Sequence, residues 1–129
     1  GNQYEINAAK GFVSFENKNI IFMTDVNAII TMNNSQPIFI KADFADYNNI
    51  NYDTFFKGSV FLRHLTHKIN SEKLNLFFET NFVTMSDNLV YKNTDTVLYA
   101  DKFEMDLITK NSKIFMNNES KKINIFVEK

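Results

Sequence analysis

The chain has 129 residues, a net charge of −1 and 44% hydrophobic residues, 14 of them Phe, a content that fits one folded domain over residues 1–129 rather than a disordered segment. It shows no basic stripe that would suit nucleic acid, no Cys for a disulfide or a thiolate metal site, and no apolar run near the roughly 18 residues of a membrane-spanning helix. It also shows no signal peptide of the basic-plus-apolar kind.

Only 3 Gly and 1 Pro punctuate the chain, so Asn, Asp and Ser must make most turns. The first apolar stretch is Tyr4 to Phe15, followed by a turn cluster at Glu16 to Asn19. A strand at Asn19 to Val26 precedes the cluster Met32 to Gln36. Ile40 opens the next strand, which ends in Tyr47 to Asp53, and Phe55 to Leu62 forms its partner. Ile69 to Phe78 and Phe82 to Tyr91 repeat the pairing before Asn93 to Asp95. Leu98 to Leu107 leads to Lys110 to Ser112, a strand at Lys113 to Met116, the cluster Asn117 to Lys121 and a last strand at Lys122 to Val127. These runs are rich in β-branched and aromatic residues, and helical periodicity is weak. The expectation is an all-β roll of at least ten short strands with no helix beyond about two turns.

A repeat underlies the pattern. Ile6-Asn7-Ala8, Ile40-Lys41-Ala42, Ile69-Asn70-Ser71 and Leu98-Tyr99-Ala100 each place a small residue two positions after an aliphatic one. The small residues recur about every 30 positions, within the range of repeat architectures. After each of them the apolar parity flips; Ala100, for example, is followed by Phe103, Met105 and Leu107. A strand keeps its apolar side chains on one parity unless an extra residue bends it and turns the later side chains over. The expected architecture is therefore a twisted antiparallel β-roll or jelly-roll of about four two-strand repeats, bent near Ala42, Ser71 and Ala100.

The stretches "IKADFADYNNINYDTFFKGSVFLR" and "LYADKFEMDLITKNSKIFM" resemble the OstA-like lipopolysaccharide-transport family, and most of all its LptC branch. The matching residues are Ile40, Ala42, Asp43, Tyr47, Gly58 and Val60, then Ala100, Asp101 and Lys102, and the likeness spans about residues 4 to 127. Lys57-Gly58-Ser59 departs from the Gly-Asn-Val common in LptA-like members, which favours LptC. The resemblance implies an N-terminal anchoring helix outside this sequence, with the domain in the periplasm and tethered to the inner membrane.

The implied function is non-enzymatic. The roll would receive lipopolysaccharide from the subunits of an inner-membrane ABC transporter and pass it to a downstream LptA-like β-roll; self-association is a further implied contact. Exposed methylenes cost about 0.8 kcal/mol each in water, so acyl chains need an apolar path. The expected groove residues are Ile40, Val60, Leu62, Leu76, Phe78, Val83, Met85, Phe103, Met105, Leu107 and Ile114. The expected partner edges are Tyr4, Ile6, Val13 and Phe15 at one end and Ile123, Ile125 and Val127 at the other, docking by strand addition. The last two strands, Lys113 to Met116 and Lys122 to Val127, would form a terminal hairpin.

Other chemistry finds little footing. His64 and His67 read as a strand end and turn rather than a metal site. Asp43 and Asp46, and Asp101, Glu104 and Asp106, read as solvated faces rather than acid–base pairs. No zinc motif, nucleophile motif or Gly-rich phosphate loop is present, and no cofactor is expected. Asn33-Asn34-Ser35 and Asn118-Glu119-Ser120 match the glycosylation pattern, as chance provides in an Asn-rich chain. A structural or adhesive β-domain with an ordinary closed core stays open as the alternative, because every roll needs an apolar interior.

Overall fold

A computed structural model describes residues 2–115 and 124–127, the latter as backbone only. Nine strands occur among the described residues: β1 Gln3–Val13, β2 Ile20–Thr31, β3 Ile38–Asn48, β4 Thr54–His64, β5 His67–Phe77, β6 Phe82–Asn93, β7 Thr96–Asp106, β8 Ser112–Phe115 and β9 Asn124–Val127. No helix is found among them. The strands form one antiparallel sheet in chain order from β1 to β8, with β9 also pairing β7. The count is nine rather than ten or more, and β1 to β7 are 11 or 12 residues long rather than short. Each long strand covers both sides of a bend and so replaces two short ones.

The bend lies at the expected positions. In β3 the buried residues run Ile38, Ile40, Ala42 and then Ala45; in β5 they run Ile69, Ser71 and then Leu74, Leu76. The odd strands therefore change parity at Ala42 and Ser71, and β7 does so after Ala100. The even strands β4 and β6 solve the same bend differently. Each carries one more residue than its neighbours there, with the register shifting opposite Lys41/Phe44, Asn70/Lys73 and Ala100/Lys102. The extra residues form left-handed pairs, Gly58 (φ 82°) with Ser59 (φ 46°) and Asp87 (φ 68°) with Asn88 (φ 52°). Such bulges bend a strand and raise its twist. With the extra residue, β4 and β6 keep one parity throughout: Thr54, Phe56, Val60, Leu62 in one and Val83, Met85, Leu89 in the other.

The bend folds the sheet upon itself into two layers. Val26, Ile30, Ile40, Leu62, Ile69 and Leu89 come from one layer, and Phe56, Leu74, Leu76, Met85, Met105 and Leu107 from the other; all are buried. Burying a side chain of this size contributes about 1.5–3 kcal/mol. Small residues sit at the crease, where the layers converge: Ala42 and Ser71 are buried, and the Ser71 hydroxyl donates to the Lys73 carbonyl at 2.8 Å. At the open side the layers meet again. Tyr4 of β1 packs on Phe78 (ring centroids 4.9 Å apart), and its hydroxyl donates to Asn81 Oδ1 at 2.5 Å. Lys110 reaches across to donate to the Asn33 carbonyl at 3.0 Å.

One expectation is corrected. Among the described residues, β8 and β9 do not pair with each other as the expected terminal hairpin. Both pair with β7, β8 along Lys102 to Met105 and β9 along Thr96 to Tyr99. They lie end to end and share one edge of the sheet. Met116, Ile123 and the cluster Asn117 to Lys121 lie outside the described residues.

Candidate functional site

Among the described residues, one cavity opens at the β1 side of the roll and another at the β7–β8 side. The larger has a volume of about 840 Å³ and is lined by Tyr4, Ile6, Met23, Tyr47, Tyr52 and Phe78 among others. Its aromatic wall is continuous: Tyr52 meets Phe78 edge-on at 5.1 Å and lies 6.3 Å from Tyr47. Tyr52 reaches this position from a turn, with φ of 66°, where the Asn48 side chain accepts hydrogen bonds from the Ile50 and Asn51 backbone N–H groups. Burial raises the Tyr4 and Tyr47 hydroxyl pKa values above the ordinary tyrosine range, the nearby Tyr52 adding to the rise at Tyr47. These phenols stay neutral at pH 7, so the wall offers apolar surface with hydroxyl tips.

The smaller cavity, about 200 Å³, has Leu62, Ile69, Phe103, Met105 and Ile114 as its floor and His64, His67, Tyr91, Lys110 and Ser112 at its rim. His64 and His67 face each other at the ends of β4 and β5, across the two-residue turn Leu65-Thr66. His67 Nδ1 hydrogen-bonds the Tyr91 hydroxyl. His64 Nε2 lies 3.4 Å from Ser35 Oγ. Burial first, then the neighbouring His67 and the Lys110 ammonium, hold the His64 pKa below its ordinary value, against the opposing effect of a hydrogen bond to the Gln36 backbone.

The expected groove residues separate into two sets. Ile40, Val60, Leu62, Leu76, Val83, Met85, Phe103, Met105 and Leu107 are buried within the packed core, whereas Phe78 and Ile114 are half-buried at the rims of the larger and smaller cavities. Leu76 reaches the larger cavity, and Leu62, Phe103 and Met105 reach the smaller. Of the edge residues, Tyr4, Ile6 and Val13 lie in β1, which pairs only with β2 among the described strands. Tyr4 and Ile6 turn inward onto the core, Val13 is exposed, and Phe15 stands fully exposed beyond the end of β1. Ile125 and Val127 lie in β9 on the opposite edge.

Met23, Tyr47, Tyr52 and Tyr91 line the cavities without having been assigned to the groove by sequence pattern. Met23 and Tyr47 were within reach of it, since both sit on the inward parity beyond the flip. Tyr52 was not, because a turn residue carries no parity. The surface acids have ordinary roles. Asp46 pairs with Lys57 at 3.7 Å and Glu104 with Lys102 at 3.8 Å, while Asp106 Oδ1 accepts the Ile108 and Thr109 N–H groups in a turn. No group of three or more potential metal ligands occurs among the described residues.

Comparison with known proteins agrees with this architecture. The structure of LptH from Pseudomonas aeruginosa, described as the LptA homologous periplasmic component of the conserved lipopolysaccharide transport device, superposes with a TM-score of 0.68. The match covers 98% of this chain and 96% of that one at 10% identity, so it shows a shared fold. No individual curated protein matches the sequence. The description "Lipopolysaccharide-assembly, LptC-related" fits residues 1–119, and the chain belongs to that LptC-related family.

Proposed function

We propose that residues 1–129 act as one roll that carries lipopolysaccharide across the periplasm without catalysing a reaction. It receives the lipid from the inner-membrane ABC transporter and hands it to the next β-roll of the bridge. An N-terminal anchor holds it at the inner membrane, and the free edges of β1 and of β8 with β9 meet its neighbours by strand addition. The observation that carries this reading is the aromatic-walled cavity of about 840 Å³ at the open side of the roll. That volume suits an amphiphile, since small-molecule sites span about 300–1,000 Å³. Apolar contact is not directional, so acyl chains can move along such a wall.

A second reading has its own support. Nine of the eleven expected groove residues are packed and buried, as in a closed structural core. Photo-crosslinking separates the two. A crosslinking amino acid at Tyr52, Phe78 or Ile114 should capture lipopolysaccharide in cells, and one at the outward-facing Glu104 should not. Capture at Glu104 alone, or at none of the four, favours the closed structural domain.

A further inference from the structure

The two cavities differ in charge. The larger carries Glu5 on its lining and no cationic side chain. Among the described residues, the smaller is lined by His64, His67 and Lys110 and by no carboxylate, over an apolar floor. An apolar floor under a rim of nitrogen donors that includes the Lys110 ammonium fits one kind of ligand, an anion attached to an alkyl chain. We propose that the smaller cavity holds the phosphate-bearing headgroup of an acylated lipid, with His64, His67 and Lys110 around the phosphate and Leu62, Phe103 and Ile114 beneath the adjoining methylenes. This assignment rests on the lipid-carrying function proposed above.

The donors are available and fixed from three turns or strand ends. An ammonium has three N–H donors, and Lys110 spends one on the Asn33 carbonyl. The Tyr91 hydroxyl engages His67 Nδ1 and so orients the ring, leaving Nε2 as the nitrogen that can donate to an anion. Ser112 adds a hydroxyl to the rim. Hydrogen bonds between charged partners are about twice as strong as neutral ones, and a partly enclosed site screens them less than open surface does. The lipid would thus be held at two places. Its phosphate would sit at the rim on the β7–β8 side, and the methylenes next to it would lie on the apolar floor of the same cavity.

The test compares three probes on the full chain: diphosphoryl lipid A, the same lipid A after phosphatase treatment, and inorganic phosphate. Binding is read by native mass spectrometry and by the side-chain nitrogen resonances of His64 and His67. The expected result is at least about tenfold tighter binding of the phosphorylated lipid. The ratio of the two lipid affinities should fall to about one to three in Lys110→Gln and in His67→Gln, and the histidine resonances should move only with the phosphorylated form. Unfolding midpoints confirm that both variants are folded; Lys110 is exposed, so at least that one tolerates the change. Equal binding of the two lipids overturns the headgroup site and leaves the lipid-carrying function standing. Failure of both lipids to bind overturns both. Inorganic phosphate binding as tightly as the phosphorylated lipid overturns the headgroup assignment in favour of a free-anion site.

Discussion

The Asp43 side chain occupies the space that a side chain at Gly58 would need. A Cβ placed on Gly58 would stand 3.0 Å from Asp43 Oδ2 and 3.1 Å from Asp43 Cβ. Gly58 also adopts φ of 82°, a conformation that costs an L-residue about 1–2 kcal/mol. Gly58→Ala should therefore destabilise the fold by about 1–3 kcal/mol. Ser59→Gly is the counter-test, because Ser59 already bears that strain at φ of 46°. It should be neutral or stabilising by up to about 1 kcal/mol. Thermal unfolding of the two variants checks the pair, and equal losses in both would mean that the bulge is not where the bend is held.

The bulge also shows where sequence pattern stops being legible. The flips after Ala42, Ser71 and Ala100 reveal that the strands bend, because the side-chain alternation of a straight strand is strict. The insertions themselves lie on the partner strands, at Gly58-Ser59 and Asp87-Asn88, where parity is unbroken and gives no signal. The interior residues Val60, Met85 and Met105 are readable from alternation alone. Their division into packed core and cavity wall is not, since it depends on how far apart the two layers stand. The pairing of β9 with Thr96 to Tyr99 was equally hidden: a short strand after a turn cluster looks like half of a hairpin, whichever neighbour it joins.

Asn81 ties the open side of the roll together. Its side-chain oxygen accepts from the Tyr4 hydroxyl and, at 3.4 Å, from Asn2 Nδ2, and its carbonyl accepts the Leu107 N–H at 2.8 Å. Its φ of 53° is one that Gly adopts freely, so Asn81→Gly removes the side-chain bonds without adding backbone strain. Lost hydrogen bonds of this kind cost about 0.5–1.5 kcal/mol each. Amide exchange in Gln3 to Ile6 should quicken several-fold in Asn81→Gly, with exchange in β4 and β5 unchanged. Exchange that quickens equally throughout would show a global rather than a local loss.

His64 makes stability depend on pH in a predictable direction. Its folded-state pKa lies below the ordinary value of 6.5, chiefly because burial disfavours the charged ring. The unfolded chain therefore takes up the proton first as pH falls. The contribution is fully present above about pH 6.5 and is lost as pH drops through the folded-state value. Among the described residues, the groups around the ring are His67, Lys110, Tyr91 and the neutral Ser35 and Gln36, with no carboxylate among them to reverse the sign. The unfolding midpoint should fall between pH 7.5 and pH 5.5, and His64→Gln should flatten that decline. A steeper decline in the variant would contradict the burial argument.

The last prediction concerns the edge shared by β8 and β9. In β9, Ile125 pairs with Leu98 and Phe126 with Val97. Neighbouring residues of an antiparallel strand alternate, one turning its N–H to the partner strand and the next turning it away. Proline removes the N–H wherever it stands. Ile125→Pro and Phe126→Pro therefore differ in kind. One breaks the ladder to β7, and the other removes only a donor on the free side, where strand addition would occur. If this edge docks the downstream β-roll, the free-side variant should lose capture of an LptA-like partner by at least about tenfold while its unfolding midpoint stays within about 2 °C of wild type, less than about 1 kcal/mol for a chain of this size. The ladder-side variant should lose stability first. Normal capture by both variants would move the docking edge to β1, where the same comparison at Tyr4 and Glu5 tests the opposite side of the sheet.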